Sequence, residues 1–173
     1  MKLENKNIAI LVDDLYEDLE LWYPLLRLRE EGADVTVVGP ERNTEYKAKH
    51  GYPVISDAEA ADIKAKDLHA VIIPGGYAPD RIRRYEKMVK LVSQVNEHGG
   101  IIAFICHGGW VPISADAVRG KKATSFFAIK DDMTNAGAEW VDQSVVRDKN
   151  LISSRKPEDL PDFCRTLIQA LTE

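Results

Sequence analysis

The sequence predicts an α/β fold built on a parallel sheet, and three observations carry that prediction. Apolar runs of strand length stand at Ile8–Val12, Ala70–Ile73 and Ile101–Ile105, each continuous rather than alternating, as in strands buried on both faces. Each run stops at a turn: Asp13-Asp14, Pro74-Gly75-Gly76, and Cys106-His107-Gly108-Gly109. Helical patterns lie between them, and the strand, helix, strand order of the first 39 residues is a βαβ unit with a right-handed crossover.

Taken in order, Ile8–Val12 opens the sheet, and a helix follows on Leu19, Trp22, Tyr23, Leu25, Leu26 and Leu28 up to Glu31-Gly32. Pro24 inside this pattern should kink it. The four carboxylates Asp13, Asp14, Glu17 and Asp18 precede the helix, where its dipole favours them. Asp34–Gly39 is the second strand, Pro40–Lys49 reads as loop, and His50–Ile55 as a turn with a short edge strand. Residues 57–67 read as loop with a helical turn, and 69–73 as the third strand. One helix over Arg81–Asn96 ends on Glu97-His98-Gly99-Gly100 as C-cap. After Ile101–Ile105 come a buried helix from Trp110, a short strand and turn over Lys121–Phe127, and a helix from Lys130 stopped by Gly137. A hairpin follows around Asp148-Lys149-Asn150, then a last helix over Glu158–Leu171.

At 173 residues with 45% hydrophobic content, the chain suits one domain, 1–173, burying roughly 70% of its unfolded surface. A net charge of −5 argues against a nucleic-acid or anionic-membrane partner, and the basic stretch Arg81–Lys87 reads as a solvated helix face or subunit contact. The charged start leads into five apolar residues, short of a signal core or a span, so the expectation is a cytoplasmic protein. Two cysteines form no disulfide framework and show no metal-ligand spacing. Cys164, in a helical pattern, reads as a small packed hydrophobe. No metal or cofactor motif is present, and Pro74-Gly75-Gly76 lacks the Gly-Lys-Ser/Thr ending of a phosphate loop.

Cys106 is different. A cysteine where a buried strand breaks into paired glycines sits on a nucleophile elbow, at the sheet edge where open α/β folds meet their ligands. A thiol attacks as thiolate, and a helix N-terminus with polar neighbours should lower its pKa. His107 is a plausible base that should lie near the sulfur rather than bond it, because adjacent side chains on a sharp turn diverge. It needs an orienting acid, for which Glu17, Asp13 and Asp80 qualify by position. The N–H groups of Gly76 and His107 suit an oxyanion, with Gly75 in the pocket wall. His50, His69 and His98 stand at turn or cap positions and read as structural or solvated.

Several motifs then carry a resemblance. Tyr16-Glu17-Asp18, Ile73–Asp80, Ala103–Gly108, Ile129–Ala138 and Ser153–Leu160 together resemble the PfpI family of intracellular cysteine peptidase-like proteins, in the class I glutamine-amidotransferase-like superfamily. The resemblance implies a flavodoxin-like three-layer sandwich with Cys106 as nucleophile, His107 beside it and the Glu17 carboxyl hydrogen-bonded to the sulfur. It implies a homo-oligomer, dimer or hexamer, in which Asp80 of a neighbouring copy orients the histidine. Many relatives carry Glu there, and Asp80 is one methylene shorter. Where Pro is common after the Cys-His-Gly, this chain has Gly109-Trp110, so Trp110 either lines the pocket mouth or packs beneath it. The implied chemistry is a cysteine-dependent hydrolase needing no cofactor, with a peptide, methylglyoxal or a glycation adduct as substrate. The alternative is a redox-responsive stress protein or chaperone whose Cys106 is oxidised.

Overall fold

The computed structural model describes residues 1–173. Its main sheet contains β1 (Asn7–Leu11), β2 (Asp34–Gly39), β5 (Ala58–Glu59), β6 (Ala70–Ile73), β7 (Ile101–Ile105), β10 (Val145–Asp148) and β11 (Leu151–Ser154). They lie in the order β10-β11-β7-β6-β1-β2-β5, all parallel except the β10–β11 hairpin at one edge. The central strands are buried on both faces, which is why their sequences are continuous runs of Ile, Val, Leu and Ala.

Two helical layers cover the sheet, giving the flavodoxin-like sandwich. On one face α1 (Asp18–Glu30) packs against α6 (Leu160–Thr172); on the other lie α2 (Ala78–Ile82), α3 (Glu86–Glu97) and α4 (Trp110–Ser114). α6 buries the stripe read from its periodicity, Leu160, Phe163, Cys164, Leu167, Ile168 and Leu171. α1 runs through Pro24, which has no N–H for the carbonyl of Glu20 one turn earlier. α5 (Lys130–Asn135) packs on α4.

The structure departs from the sequence expectation in its smallest parts. The polar stretch before His50 contains β3 (Glu45–Lys47), which pairs with β4 (Pro53–Ile55) as a ribbon outside the main sheet. β8 (Lys122–Ala123) pairs in parallel with β9 (Glu139–Trp140), a strand the sequence did not suggest. The expected single helix over 81–96 is two, α2 and α3, because Tyr85 is extended and acts as the N-cap of the second.

Chain order reverses direction at the centre of the sheet: β1 leads outward to β2 on one side, whereas β6 leads to β7 on the other. The ends of β1, β6 and β7 therefore frame a crevice at the C-terminal edge, the switch point where such sheets bind ligands. The chain after β7 presses against the end of β6, and a side chain on Gly108 would run into the Ile73 carbonyl oxygen. That neighbour is backbone in a central strand and has no room to yield. Gly108→Ala is therefore expected to cost about 3 kcal/mol or more, measured by urea unfolding; a loss below about 1 kcal/mol would show that the junction relaxes.

Candidate active site

Three segments build the crevice. The turn after β1 docks on the turn after β6 through Glu17 N–H to the Gly75 carbonyl (3.2 Å), Tyr77 N–H to the Leu15 carbonyl (2.8 Å) and a bridge between Tyr16 and Gly76. Cys106 ends β7 in the left-handed region, φ +62°, where a non-glycine residue is strained, and a short 3₁₀ turn over Cys106–Gly109 leads into α4. The result is a cavity of about 350 Å³ lined by Cys106, His107, Trp110, Phe126, Tyr77 and Gly76, with Glu17, Glu20, Lys49, Lys156 and Pro157.

The carboxyl at the sulfur is that of Glu20, which corrects the position inferred for Glu17. Glu17 is the extended residue that caps α1, and its side chain turns outward to Lys49 Nζ at 3.3 Å, with His50 Nδ1 at 3.8 Å. Glu20 lies one turn further in, on the face that buries Leu21, Pro24, Leu25 and Leu28, and has no solvent exposure. Its Oε2 accepts the Gly75 N–H at 2.7 Å, Oε1 has no hydrogen-bond partner, and the Cys106 thiol lies beside the carboxyl. Gly75 must be bare for this to happen, since a Cβ there would stand 2.5 Å from Glu20 Oε2 and 2.7 Å from Cys106 Cβ. A charged residue on an otherwise apolar helical stripe was the one signal in the sequence that pointed to Glu20.

His107 comes closer than a diverging turn predicts: Nδ1 lies 3.3 Å from Cys106 Sγ. The left-handed cysteine followed by a tight 3₁₀ turn carries both side chains to the same side. No carboxylate orients the imidazole within the chain. It is held instead by aromatic rings, stacked on Phe126 (centroids 5.1 Å, 29°) and meeting Trp110 edge-on (5.3 Å, 66°). Trp110 thus lines the cavity, its Nε1 donating to Asp132 Oδ2 at 2.9 Å and the Arg83 guanidinium lying 5.9 Å from its ring centroid.

The other acids weighed from sequence are engaged elsewhere. Asp80 pairs with Arg84 and lies outside the cavity lining. Asp13 is buried at the end of β1, where Oδ1 accepts from Arg81 Nε at 2.9 Å and from the Asp14 N–H at 2.6 Å. Much of the basic stretch thus pairs internally or lies over Trp110. Glu17, Asp18 and His50 bring one ligand atom each within 4.8 Å of one another, but Lys49 and the His50 ring and N–H already occupy those oxygens.

Burial governs the titration of the site. It pushes Glu20 up to about 8, against the pull of the Gly75 N–H, so the carboxyl is neutral at pH 7. Burial also pushes Cys106 up to about 12, opposite to the lowering expected from the elbow, with the Glu20 charge second among the causes. The α4 helix is too short to supply a strong dipole, although the N–H groups of His107 and Gly76 near the sulfur pull the other way. With Glu20 protonated, its charge no longer opposes the thiolate. His107 is lowered by burial and then by Lys49, with Asp132 opposing, and is neutral at pH 7. Two groups driven in opposite directions sort themselves into an acid and a base, Glu20 and His107.

The DJ-1/PfpI family model matches residues 6–170 of this chain. The chain belongs to the DJ-1/PfpI family. Among its DJ-1/PfpI relatives, "Deglycase PH1704" of Pyrococcus horikoshii is 43% identical over 164 residues, covering 95% of this chain and 98% of the relative. "Deglycase PfpI" of Pyrococcus furiosus is 41% identical with the same coverage. Among solved structures, a two-domain protein from Anabaena variabilis with DJ-1/ThiJ/PfpI-like and ferritin-like domains superposes with a TM-score of 0.94 at 41% identity. The match covers 96% of this chain and 48% of that longer one. Drosophila melanogaster DJ-1beta gives 0.90 at 27% identity, covering 96% and 90% of the two chains. No helix in this DJ-1/PfpI chain is long and apolar enough to cross a membrane.

The buried Glu20 has a thermodynamic consequence. Its folded pKa, about 8, lies above the ordinary carboxyl value of 4.5 that it regains on unfolding. Its contribution to stability is therefore fully present below about pH 4 and is lost as pH rises toward 8. Glu20→Gln keeps an acceptor for Gly75 N–H without a charge to bury, and should stabilise the protein at pH 8 by an amount on the order of 3 kcal/mol. Urea melts of both proteins from pH 5 to pH 9 read this out; parallel stability curves would refute it.

Proposed function

We propose that this chain is a cysteine-dependent enzyme of the deglycase type, acting in the cytoplasm on small α-oxoaldehydes such as methylglyoxal and on their adducts with amines. The observation that carries this reading is the meeting of one thiol, one neutral buried acid and one neutral base: Cys106, Glu20 and His107. The deglycase names of relatives at 41–43% identity support it. The cavity of about 350 Å³ favours a small carbonyl compound over a length of peptide.

Chemistry on methylglyoxal follows from these positions. Cys106 Sγ adds to the aldehyde carbon as His107 Nδ1 takes the thiol proton, and the carbonyl π pair moves to oxygen. The N–H groups of Gly76 and His107, which lie near the sulfur, receive that oxygen, and Glu20 protonates it. Glu20, now a carboxylate, removes the remaining proton from the same carbon and delivers it to the adjacent carbon. That converts the hemithioacetal to the thioester of a 2-hydroxy acid, while the two oxygens exchange a proton through His107. Water cleaves the thioester, releasing the acid and restoring the thiol, the neutral imidazole and the protonated Glu20. The sum is one aldehyde and one water to one hydroxy acid, with no external oxidant. A neighbouring copy placing Asp80 against His107 would add an orienting acid to an imidazole held here by aromatic rings.

Lactate release from methylglyoxal by the purified protein tests the reading. Cys106→Ala should lose on the order of 10³-fold or more in kcat/KM, and Glu20→Gln about 100-fold. Glu17→Gln, which removes only the ion pair with the half-exposed Lys49, should cost at most about threefold. Full turnover by Cys106→Ala sinks the proposal, and equal losses at Glu17 and Glu20 would sink the assignment of the acid. The wild-type pH profile of kcat/KM should be bell-shaped. It rises as His107 loses its proton, below the ordinary histidine value, and falls above about 8 as Glu20 ionises. A profile still climbing at pH 9 would exclude Glu20 as the acid.

A further inference from the structure

We infer that the Cys106 cavity selects carbonyl substrates that carry a free carboxylate, and that Lys156 is the residue that reads this charge. The inference rests on the reading of Cys106 as the nucleophile and names the substrate class of that site.

Two cations and two acids line the cavity. Lys49 is 3.3 Å from Glu17 Oε2, so these charges answer each other. Glu20 is buried and neutral at pH 7. Lys156 is left over. Its neighbour Arg155 holds Asp142 through Nη1 at 2.7 Å and Asp159 through Nε at 2.8 Å, and the nearby Glu158 forms no ion pair with Lys156. Lys156 itself forms no ion pair, and its backbone is set by the proline that follows. It is extended (φ −164°, ψ 167°), the conformation that a following proline enforces, and Pro157 opens the 3₁₀ turn into α6.

Lys156 is an exposed residue that lines both this cavity and the neighbouring one walled by Phe127 and Trp140, and its charge adds a positive field beside the rings of Phe126, Trp110 and Tyr77. The rest of the chain carries a net −5, so this local positive field runs against the overall one. The valence of the site suits a carboxylate rather than a phosphate. One lysine meets the charge, no arginine lines the cavity to grip a dianion bidentately, and the guanidinium nearest in sequence, Arg155, is held by two aspartates. Adducts of an α-oxoaldehyde with an amino acid whose carboxylate is free are compounds of this class.

The test uses two alkylating probes that differ in charge, iodoacetate and iodoacetamide. In both reactions Cys106 Sγ forms a bond to the CH₂ carbon, iodide leaves with the C–I pair, and the thiol proton passes to solvent. Rates at Cys106 are followed by peptide mapping, which separates it from the buried Cys164. Each iodoacetate-to-iodoacetamide ratio is referenced to that of glutathione under the same conditions. The wild-type ratio should exceed the glutathione ratio by about fivefold or more, a 1 kcal/mol charge effect. It should collapse toward that of glutathione in Lys156→Gln, survive in Lys156→Arg, and fall with added salt. A wild-type ratio no higher than that of glutathione overturns the inference, as does an unchanged ratio in Lys156→Gln, or a Cys106 that neither probe reaches. Alkylation needs no turnover, so the two readings fail separately. A protein inert toward methylglyoxal but selective for iodoacetate loses the proposed activity alone, and an active protein without selectivity loses this inference alone.

Discussion

The structure depends on the burial of one carboxyl group where three chain segments meet. Glu20 enters from the first turn of α1, Gly75 offers its N–H from the end of β6, and Cys106 comes from the end of β7. A buried carboxylate is costly, so the group stays protonated and answers with hydrogen bonds. That requirement governs its surroundings. Gly75 can bear no side chain, the cysteine takes a left-handed backbone, and the turn after β1 is tied by backbone bonds to the turn after β6. Stability is given up at neutral pH to keep an acid beside a thiol, the kind of trade expected at a reactive site.

The imidazole is managed by other means. With no acid of its own chain, His107 is positioned by Phe126 and Trp110, and Trp110 is in turn held by Asp132 and Arg83. Those rings also desolvate the imidazole and depress its basicity. Rigid orientation and neutrality at pH 7 therefore have a common physical cause. The thiol, by contrast, is not activated by a helix dipole, since α4 has only five residues. The N–H donors of His107 and Gly76, and a neutral Glu20, are what favour its thiolate.

The large elements were legible because burial on both faces demands continuous apolar runs, and β1, β6 and β7 lie within about a residue of where those runs stand. The α6 stripe was legible for the same reason at helical period. The short strands β3, β5, β8 and β9 were not, because two or three residues carry no period. Nor was the break between α2 and α3, which depends on the extended backbone of one residue, Tyr85.

Sequence alone determined the family, the parallel sheet and the placing of a cysteine on a tight turn at its C-terminal edge, because these follow from local patterning and from ordered motifs. Only the tertiary structure decided which acid meets the sulfur. Glu17 and Glu20 stand three residues apart in one acidic stretch, and only the register of the apolar stripe hints at a difference between them. The docking of α1 turns one toward Lys49 at the cavity rim and the other into the core beside Cys106. Burial direction is a property of the packed helix, and it converts two similar side chains into an ion-pair partner at the cavity rim and a neutral buried acid.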